Sequence, residues 1–124
     1  DALQAAGLRL CIIGGEAVQP SKIARWHARM PASIRLLNGY GPTEATVTAT
    51  VSALSEADAA NDEAPIGQPL PHVRCRVLDA YGARVPIGTP GELYIGGEGL
   101  AAGYLNRPEL TADRFLLIDG ARWY

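Results

Sequence analysis

The residues best suited to chemistry lie between Asn38 and Thr48, where the sequence reads Asn-Gly-Tyr-Gly-Pro-Thr-Glu-Ala-Thr-Val-Thr. Glycines on both sides of Tyr40 let the backbone approach a bound group, and the tyrosine ring can stack on a flat heterocycle. The hydroxyl of Thr43 can hold a phosphate oxygen, and Glu44 supplies the hard oxygen that Mg²⁺ prefers when phosphates complete its coordination. This stretch predicts a nucleotide site. The alternative is a glycine-rich turn whose Thr and Glu only satisfy backbone amides.

The elements before this stretch would position it. Leu8 to Ile13 is a short apolar run ended by Gly14-Gly15, which predicts a parallel strand buried on both faces. Pro20 suits the first turn of a helix that ends before Pro31, with an apolar face at the i, i+3, i+4, i+7 spacing. That face comprises Ile23, Trp26, His27 and Met30, and we interpret His27 as a half-buried packing residue.

Ser33 to Leu37 predicts a second strand, so that strand, helix and strand form a right-handed βαβ unit. The carboxyl ends of parallel strands meet at one edge of a sheet, where open α/β folds bind ligands. We therefore expect Gly14-Gly15 and Asn38-Gly39 to face one site. Ala45 to Ser52 is rich in Thr and Val and predicts an extended segment leading away from it.

The second half of the chain changes its pattern. Ser55 to Ala64 has no apolar stripe and predicts a surface loop with a single helical turn, at the seam between two subdomains. Further strands are predicted at Val73 to Leu78 and Glu92 to Ile95, separated by Gly/Pro-rich turns. A short helix from Asn106 to about Asp113 and a strand from Phe115 to Ile118 follow. This pattern favours a small antiparallel sheet or distorted barrel.

Composition excludes several classes of partner. A net charge of −2, with Lys22 as the only lysine among 124 residues, argues against nucleic acid and against an anionic membrane surface. The longest apolar runs are too short to cross a bilayer. Cys11 and Cys75 lack metal-ligand spacing and are interpreted as small buried hydrophobes in a reducing cytoplasm. We therefore expect a cytoplasmic protein.

A second long stretch runs from Gly91 to Thr111 and reads Gly-Glu-Leu-Tyr-Ile-Gly-Gly-Glu-Gly-Leu-Ala-Ala-Gly-Tyr-Leu-Asn-Arg-Pro-Glu-Leu-Thr. With the first stretch and the upstream Gly14-Gly15-Glu16-Ala17, it resembles the core motifs of adenylation (AMP-binding) domains of nonribosomal peptide synthetases, within the acyl-adenylate-forming superfamily. The resemblance covers essentially the whole chain and marks it as an interior piece. It implies an α/β fold, with a parallel βαβ part of the large N-terminal subdomain over residues 1–62 and a β-rich, distorted-barrel part over 63–124.

The resemblance also implies a reaction. Such enzymes join an amino acid carboxylate to the α-phosphate of ATP with Mg²⁺, and then load the acyl group on the phosphopantetheine of a carrier domain. Thr43 would touch the α-phosphate, and Glu44 would hold the metal. The adenine would be surrounded by Gly15, Glu16, Asn38, Gly39 and Tyr40. For Glu16 an exposed turn carboxylate is an equal alternative.

Part of the amino acid pocket is implied as well. It would be lined by Ile12, Gly14, Gly39, Val47 and Thr48. None of these residues is charged, so we expect a neutral, more often apolar, amino acid as substrate, although its identity stays open. The expected partners are carrier and condensation domains of the same synthetase.

Other residues of the second stretch are interpreted as structural, namely Glu92, Gly96 and Tyr104. Ala102 departs from the arginine usual in the family. The phosphate loop would lie before Asp1, and a ribose-binding motif would begin at Tyr124, so we expect the 124 residues alone not to catalyse adenylation. The alternatives are an acyl-CoA synthetase or aryl-acid adenylating ligase, or a degenerate nucleotide-binding module.

Overall fold

The structure is a computed structural model that describes residues 6–124. The chain divides into two compact units. The first comprises Asp1–Tyr40 and Thr50–Gln68, and the second comprises Gly41–Ala49 and Pro69–Tyr124. Relative to a division at residue 62, segment 41–49 belongs to the second unit and segment 63–68 to the first. The subdomain division into 1–62 and 63–124 stays a prediction.

The first unit contains the predicted βαβ arrangement. Strand β1 (Leu10–Gly14) is followed by helix α1 (Pro20–His27) and strand β2 (Arg35–Tyr40). The two strands pair in parallel from Leu10 opposite Arg35 to Gly14 opposite Gly39. Pro20 occupies the first turn of α1, where its missing N–H costs no hydrogen bond.

Helix α1 is shorter than its apolar spacing predicts. It ends at His27, and the N–H groups of both Arg29 and Met30 donate to the carbonyl of Trp26 in a closing turn. His27 is half-buried, and its Nε2 lies 3.2 Å from the carbonyl oxygen of Leu54. This contact agrees with the packing role expected for the imidazole.

The first unit also contains strand β3 (Thr50–Leu54), which runs antiparallel to β2, and a 3₁₀ turn at Glu56–Ala60. The short strand β4 (Gln68–Pro69) lies at the boundary, with Gln68 in the first unit and Pro69 in the second. The sheet order is β1-β2-β3-β4. Ile23, Leu36 and Leu54 form the buried core of this unit.

The prediction that β1 is buried on both faces is wrong for the described part of the chain. Cys11 and Ile13 pack on the core around Ile23, whereas Ile12 points to the other side and is 62% exposed. Among the described strands β1 lies at an end of its sheet, and the core residues cover only one of its faces. A continuous apolar run therefore does not by itself establish that both faces are covered.

The second unit holds the antiparallel sheet that the sequence predicts. It contains β5 (Val73–Leu78), β6 (Glu92–Gly97), helix α2 (Pro108–Arg114), β7 (Leu116–Ile118) and β8 (Ala121–Trp123). The sheet order is β5-β6-β8-β7, and every pair is antiparallel. Strand β5 has the predicted bounds, whereas β8 was not predicted. The architecture is α/β, with one mixed and one antiparallel sheet.

Two buried groups stabilise the second unit. Ala45, Ala49 and Ile95 form one cluster, with Val73, Cys75, Leu93 and Leu100 packed against it. Trp123 is 1% exposed, and the guanidinium of Arg76 lies 4.3 Å from the centroid of its ring. None of the helices in residues 6–124 is both long and apolar enough to span a membrane.

Candidate functional site

The two glycine turns of the first unit lie side by side. Gly14 ends β1 directly opposite Gly39 of β2, and Ile13 lies opposite Asn38. A Cβ atom added to Gly14 would lie 2.3 Å from the carbonyl oxygen of Gly39, which is closer than any real contact. The close approach of the strands therefore requires glycine at position 14. The expected placement of both turns at one strand edge is confirmed.

The side chains at this edge differ in burial. Asn38 is 5% exposed, and its Nδ2 donates to the carbonyl oxygen of Pro65 at 2.9 Å. Tyr40 is 39% exposed, and Glu16 is also exposed. Asn38 is thus fixed within the unit, while the ring of Tyr40 and the carboxylate of Glu16 remain accessible to a ligand.

The second unit carries the rest of the first motif on a 3₁₀ turn, Thr43–Ala45, which follows Pro42. Thr43 is exposed, Val47 is 68% exposed and Thr48 is half-buried. The turn is closed by the N–H of Thr46, which donates to the carbonyl of Thr43 at 3.2 Å. Thr43 and Glu44 are thereby presented on consecutive positions of one tight turn.

The extended segment predicted from Ala45 to Ser52 is wrong up to Ala49. Thr46 and Val47 have left-handed backbones, with φ of 59° and 66°, and β3 begins only at Thr50. The Thr46 hydroxyl donates to the carbonyl of Gly99, and Ala45 and Ala49 are buried beside Ile95. These contacts override the β propensity of Thr and Val, which depends strongly on context.

Glu44 is half-buried and held at two points. The Tyr104 hydroxyl donates to Oε1 of Glu44 at 2.5 Å, and the N–H of Ala101 donates to the Glu44 backbone carbonyl at 2.8 Å. Two hydrogen bonds lower the pKa of the Glu44 carboxyl below its ordinary value of 4.5. The larger effect comes from the Tyr104 hydroxyl, and the next comes from the backbone N–H of Glu44 itself. The bond between the two side chains raises the pKa of Tyr104. At neutral pH the pair is therefore a carboxylate facing a neutral phenol.

Sequence reasoning missed this role of Tyr104. It interpreted the residue as part of the β subdomain's framework, whereas the structure places its hydroxyl on the carboxylate predicted to bind a metal. The two residues are 60 positions apart, and no local pattern links them. Of the other two residues interpreted as structural, Gly96 lies against the Trp123 ring, and Glu92 accepts a hydrogen bond from the Tyr94 hydroxyl at 3.3 Å on the exposed surface. Their structural role stays a prediction.

The chemistry of the donors fits a nucleotide-bound metal. Within residues 6–124, no group of three or more His, Cys, Asp or Glu side chains could hold a metal ion. Mg²⁺ in phosphate-transfer sites takes one or two carboxylates and completes its shell with phosphate oxygens and water. The single carboxylate of Glu44 is compatible with that mode and would not suffice for a metal held by protein alone.

The candidate residues fall into one group in each unit. The first unit holds Ile12, Gly14, Gly15, Glu16, Asn38, Gly39 and Tyr40, and the second holds Thr43, Glu44, Val47 and Thr48. Their assignments to ligands stay predictions. At Ala102, where the family usually has arginine, the structure shows only backbone contacts among the described residues: Arg122 donates to the carbonyls of Ala101 and Ala102 at 2.6 and 2.7 Å, which does not depend on the side chain at position 102.

Residues 1–105 match the family described as AMP-binding enzyme, and the chain belongs to this family. It is 51% identical over 120 residues to a plipastatin synthase of Bacillus subtilis (strain 168), in a match that covers 94% of the chain and 5% of that protein. It is 50% identical over 109 residues to a linear gramicidin synthase of Brevibacillus parabrevis, in a match that covers 88% of the chain and 1% of that protein.

The fold is also similar to a solved structure. The chain superimposes with a TM-score of 0.86 and 32% identity on an NRPS protein containing adenylation and PCP domains. The match covers 100% of the chain and 26% of that protein. The chain thus spans only a small part of each of these proteins.

Proposed function

We propose that the chain is part of an adenylation domain that activates an amino acid with ATP and passes it to a carrier domain in nonribosomal peptide synthesis. The observation that carries this proposal is that residues 1–105 match the AMP-binding enzyme family. The sequence identities of 51% and 50% to two peptide synthetases support it. The local structure of each unit is compatible with it, because Gly14 and Gly39 pair at the end of two parallel strands in the first unit and Thr43 and Glu44 occupy one tight turn in the second.

In the proposed reaction a carboxylate oxygen of the amino acid attacks the α-phosphorus of ATP. The bond between the α-phosphorus and the bridging oxygen breaks, and pyrophosphate leaves with the bonding electrons. Such chemistry depends on positioning and on stabilising charge at phosphorus. Thr43 is exposed on its turn and would donate its hydroxyl to an α-phosphate oxygen. Mg²⁺, when bound, supplies positive charge to the phosphates.

Glu44 would be the protein ligand of that Mg²⁺. Its carboxylate is deprotonated at neutral pH, and the bond from Tyr104 lowers its pKa further below the ordinary value of 4.5. The adenine would lie against Gly15, Gly39 and the accessible ring of Tyr40, with Asn38 and Glu16 at its edge. Asn38 is 5% exposed, and the bond from its Nδ2 to the Pro65 carbonyl holds the side chain in place there.

The amino acid side chain would be selected by neutral residues. Ile12 and Val47 are both largely exposed apolar side chains, Gly14 and Gly39 provide bare backbone, and Thr48 contributes one hydroxyl. A charged substrate side chain would find no counter-ion among them, and desolvating an unpaired charge is costly. A neutral substrate is therefore proposed. The carrier's phosphopantetheine thiol would be the acceptor of the acyl group, and a condensation domain would use the product.

The test is amino-acid-dependent ATP–pyrophosphate exchange by the complete polypeptide that carries this chain. Amino, aryl and fatty acids are compared, with Glu44→Gln and a matched Glu92→Gln variant. Both glutamates accept a bond from a tyrosine hydroxyl, but only Glu44 is assigned to the metal. Glu44→Gln should lower kcat/KM at least about 100-fold, because a metal ion contributes several kcal/mol of charge stabilisation. Glu92→Gln should change it less than about twofold.

The pattern of exchange separates the alternatives. Exchange with one neutral amino acid that Glu44→Gln abolishes supports the whole proposal. Exchange only with aryl or fatty acids would assign the chain to an aryl-acid ligase or acyl-CoA synthetase, and a preference for aspartate or lysine would contradict the neutral pocket. ATP binding without any exchange would indicate a degenerate nucleotide-binding module.

A further inference from the structure

We propose that Tyr104 is a positioning residue that sets the orientation of the Glu44 carboxylate for its metal. This inference rests on the proposed function, in which Glu44 is the Mg²⁺ ligand. The observation behind it is the bond from the Tyr104 hydroxyl to Oε1 of Glu44, which joins the two motif stretches of the chain inside one compact unit.

Tyr104 is itself anchored. Its backbone N–H donates to the Thr111 hydroxyl oxygen at 2.9 Å, and that hydroxyl donates to the carbonyl of Arg107 at 2.9 Å. The ring of Tyr104 meets the buried ring of Phe115 edge-on, with 5.8 Å between centroids and 61° between planes. Because Tyr104 is held at both its backbone and its ring, its hydroxyl can fix the position of the carboxylate that it contacts.

The segment before Tyr104 holds the backbone of the Glu44 turn. Ala101 donates its N–H to the carbonyl of Glu44, and the carbonyl of Gly99 accepts from the Thr46 hydroxyl. Arg122 in turn binds the carbonyls of Ala101 and Ala102, and its guanidinium lies 4.1 Å from the centroid of the Phe115 ring. Backbone and side chain of Glu44 are thus both fixed from the same segment, 99–104.

This arrangement has a functional consequence. A glutamate side chain has several rotatable bonds, and a metal must immobilise them unless the protein has already done so. Hydrogen bonds to a ligating carboxylate from outer partners orient it, and their loss typically weakens metal affinity 10–100-fold. Holding Oε1 with a neutral donor restricts the rotation of the carboxylate before the metal arrives. A purely structural Tyr104 would affect unfolding but not metal binding.

The test compares Tyr104→Phe with Tyr94→Phe in the complete polypeptide. Both changes remove a tyrosine hydroxyl that donates to a glutamate, but Tyr94 contacts Glu92 instead of Glu44. Binding of Mn²⁺ in the presence of α,β-methylene-ATP is followed by water-proton relaxation, which needs neither an amino acid nor turnover. Tyr104→Phe should weaken Mn²⁺ binding to the protein–nucleotide complex about tenfold. Tyr94→Phe should leave it unchanged.

Two further measurements separate positioning from folding. In exchange assays Tyr104→Phe should raise the Mg²⁺ concentration for half-maximal rate about tenfold and recover most of the rate at saturating Mg²⁺. Thr111→Val, which keeps the phenol but removes the hydroxyl that accepts from its backbone, should shift Mn²⁺ binding in the same direction by a smaller factor. This second variant provides the test if Tyr104→Phe does not fold.

The outcomes distinguish the inference from the function on which it rests. If Tyr104→Phe lowers the unfolding temperature but binds Mn²⁺ as Tyr94→Phe does, the inference is overturned while exchange by the wild type still supports the proposed function. If the wild type shows no exchange yet binds Mn²⁺ and nucleotide in a Tyr104-dependent way, the inference stands without the function. A wild type that binds no Mn²⁺ with the nucleotide overturns both.

Discussion

Gly14 illustrates how a single residue controls the geometry of the candidate site. It ends β1 opposite Gly39, and its missing side chain allows the two backbones to approach each other. Its φ is not in the left-handed region, so the requirement for glycine is steric and concerns the space beside Gly39 alone. This separates it from Gly15, whose φ of 88° requires glycine for conformational reasons.

Gly14→Ala should therefore destabilise the first unit. The new Cβ would lie 2.3 Å from the Gly39 carbonyl oxygen, so the strands must move apart, at about 1–3 kcal/mol for overpacking. Gly99→Ala is the matched control, because its added Cβ would meet its nearest atom at 3.6 Å, an ordinary contact, and its φ is also unstrained. The measurement is the urea concentration at the unfolding midpoint, monitored by amide hydrogen exchange in β1 and β2. Equal midpoints for the two variants would contradict the steric argument.

At the scale of an element, the 3₁₀ turn at Glu56–Ala60 is stabilised by a capping box. Oδ2 of Asp58 accepts from both the hydroxyl and the backbone N–H of Ser55, each at 2.7 Å. These bonds, the hydroxyl first, lower the pKa of Asp58 below its ordinary value of 3.8. Because the folded pKa is the lower one, the stabilisation is complete above about pH 3.8 and is lost as the pH falls through the folded pKa.

Ser55→Ala should raise the pKa of Asp58 towards 3.8, because it removes the larger of the two contributions. The pH-dependent part of the stabilisation at this turn should shrink accordingly. An NMR titration of the Asp58 carboxyl carbon provides the measurement, with Ser21→Ala, an exposed serine of α1, as control. A pKa that is the same in both variants would show that the Ser55 hydroxyl does not hold the carboxylate.

For the whole molecule, the sequence predicted those features that depend on neighbouring residues. Strand β5 was predicted at its observed bounds because Val73, Cys75 and Val77 alternate with Arg74 and Arg76, a pattern that needs no distant partner. The βαβ arrangement followed likewise from apolar runs and from prolines at the helix ends. The adjacency of Gly14 and Gly39 then followed from topology.

Features that depend on distant contacts were not predictable. The left-handed backbone of Thr46 and Val47 arises where Thr46 bonds to Gly99, a residue 53 positions away, against the local β propensity. The bond from Tyr104 to Glu44 has the same character. The exposure of Ile12 depends on which strands and helices pack on β1, and the sequence of β1 alone does not determine that. In each case a tertiary partner outside the local pattern determined the outcome.

Each unit has its own buried core, and this predicts where a core substitution acts. Ile23 in the first unit is 0% exposed and Ile95 in the second is 3% exposed, and within residues 6–124 the two clusters share no residue. Truncating either to alanine should cost about 2–5 kcal/mol through lost burial and the cavity left behind. Ile23→Ala should increase amide exchange in β1, β2 and β3, and Ile95→Ala should increase it in β5 and β6.

Peptide-resolved hydrogen exchange of the complete polypeptide tests this localisation. Groups of elements that share a core often open together. The loss of amide protection should therefore be confined to the strands that pack on the truncated isoleucine. Ala24→Gly, an exposed position in α1, controls for a change of helix propensity without core loss. Equal loss of protection in both sets of strands from either isoleucine would show instead that the two cores unfold as a single cooperative body. In that case the destabilisations caused by the two truncations should add in the single unfolding transition of the double variant, whereas with independent cores each truncation should shift only the transition of its own unit.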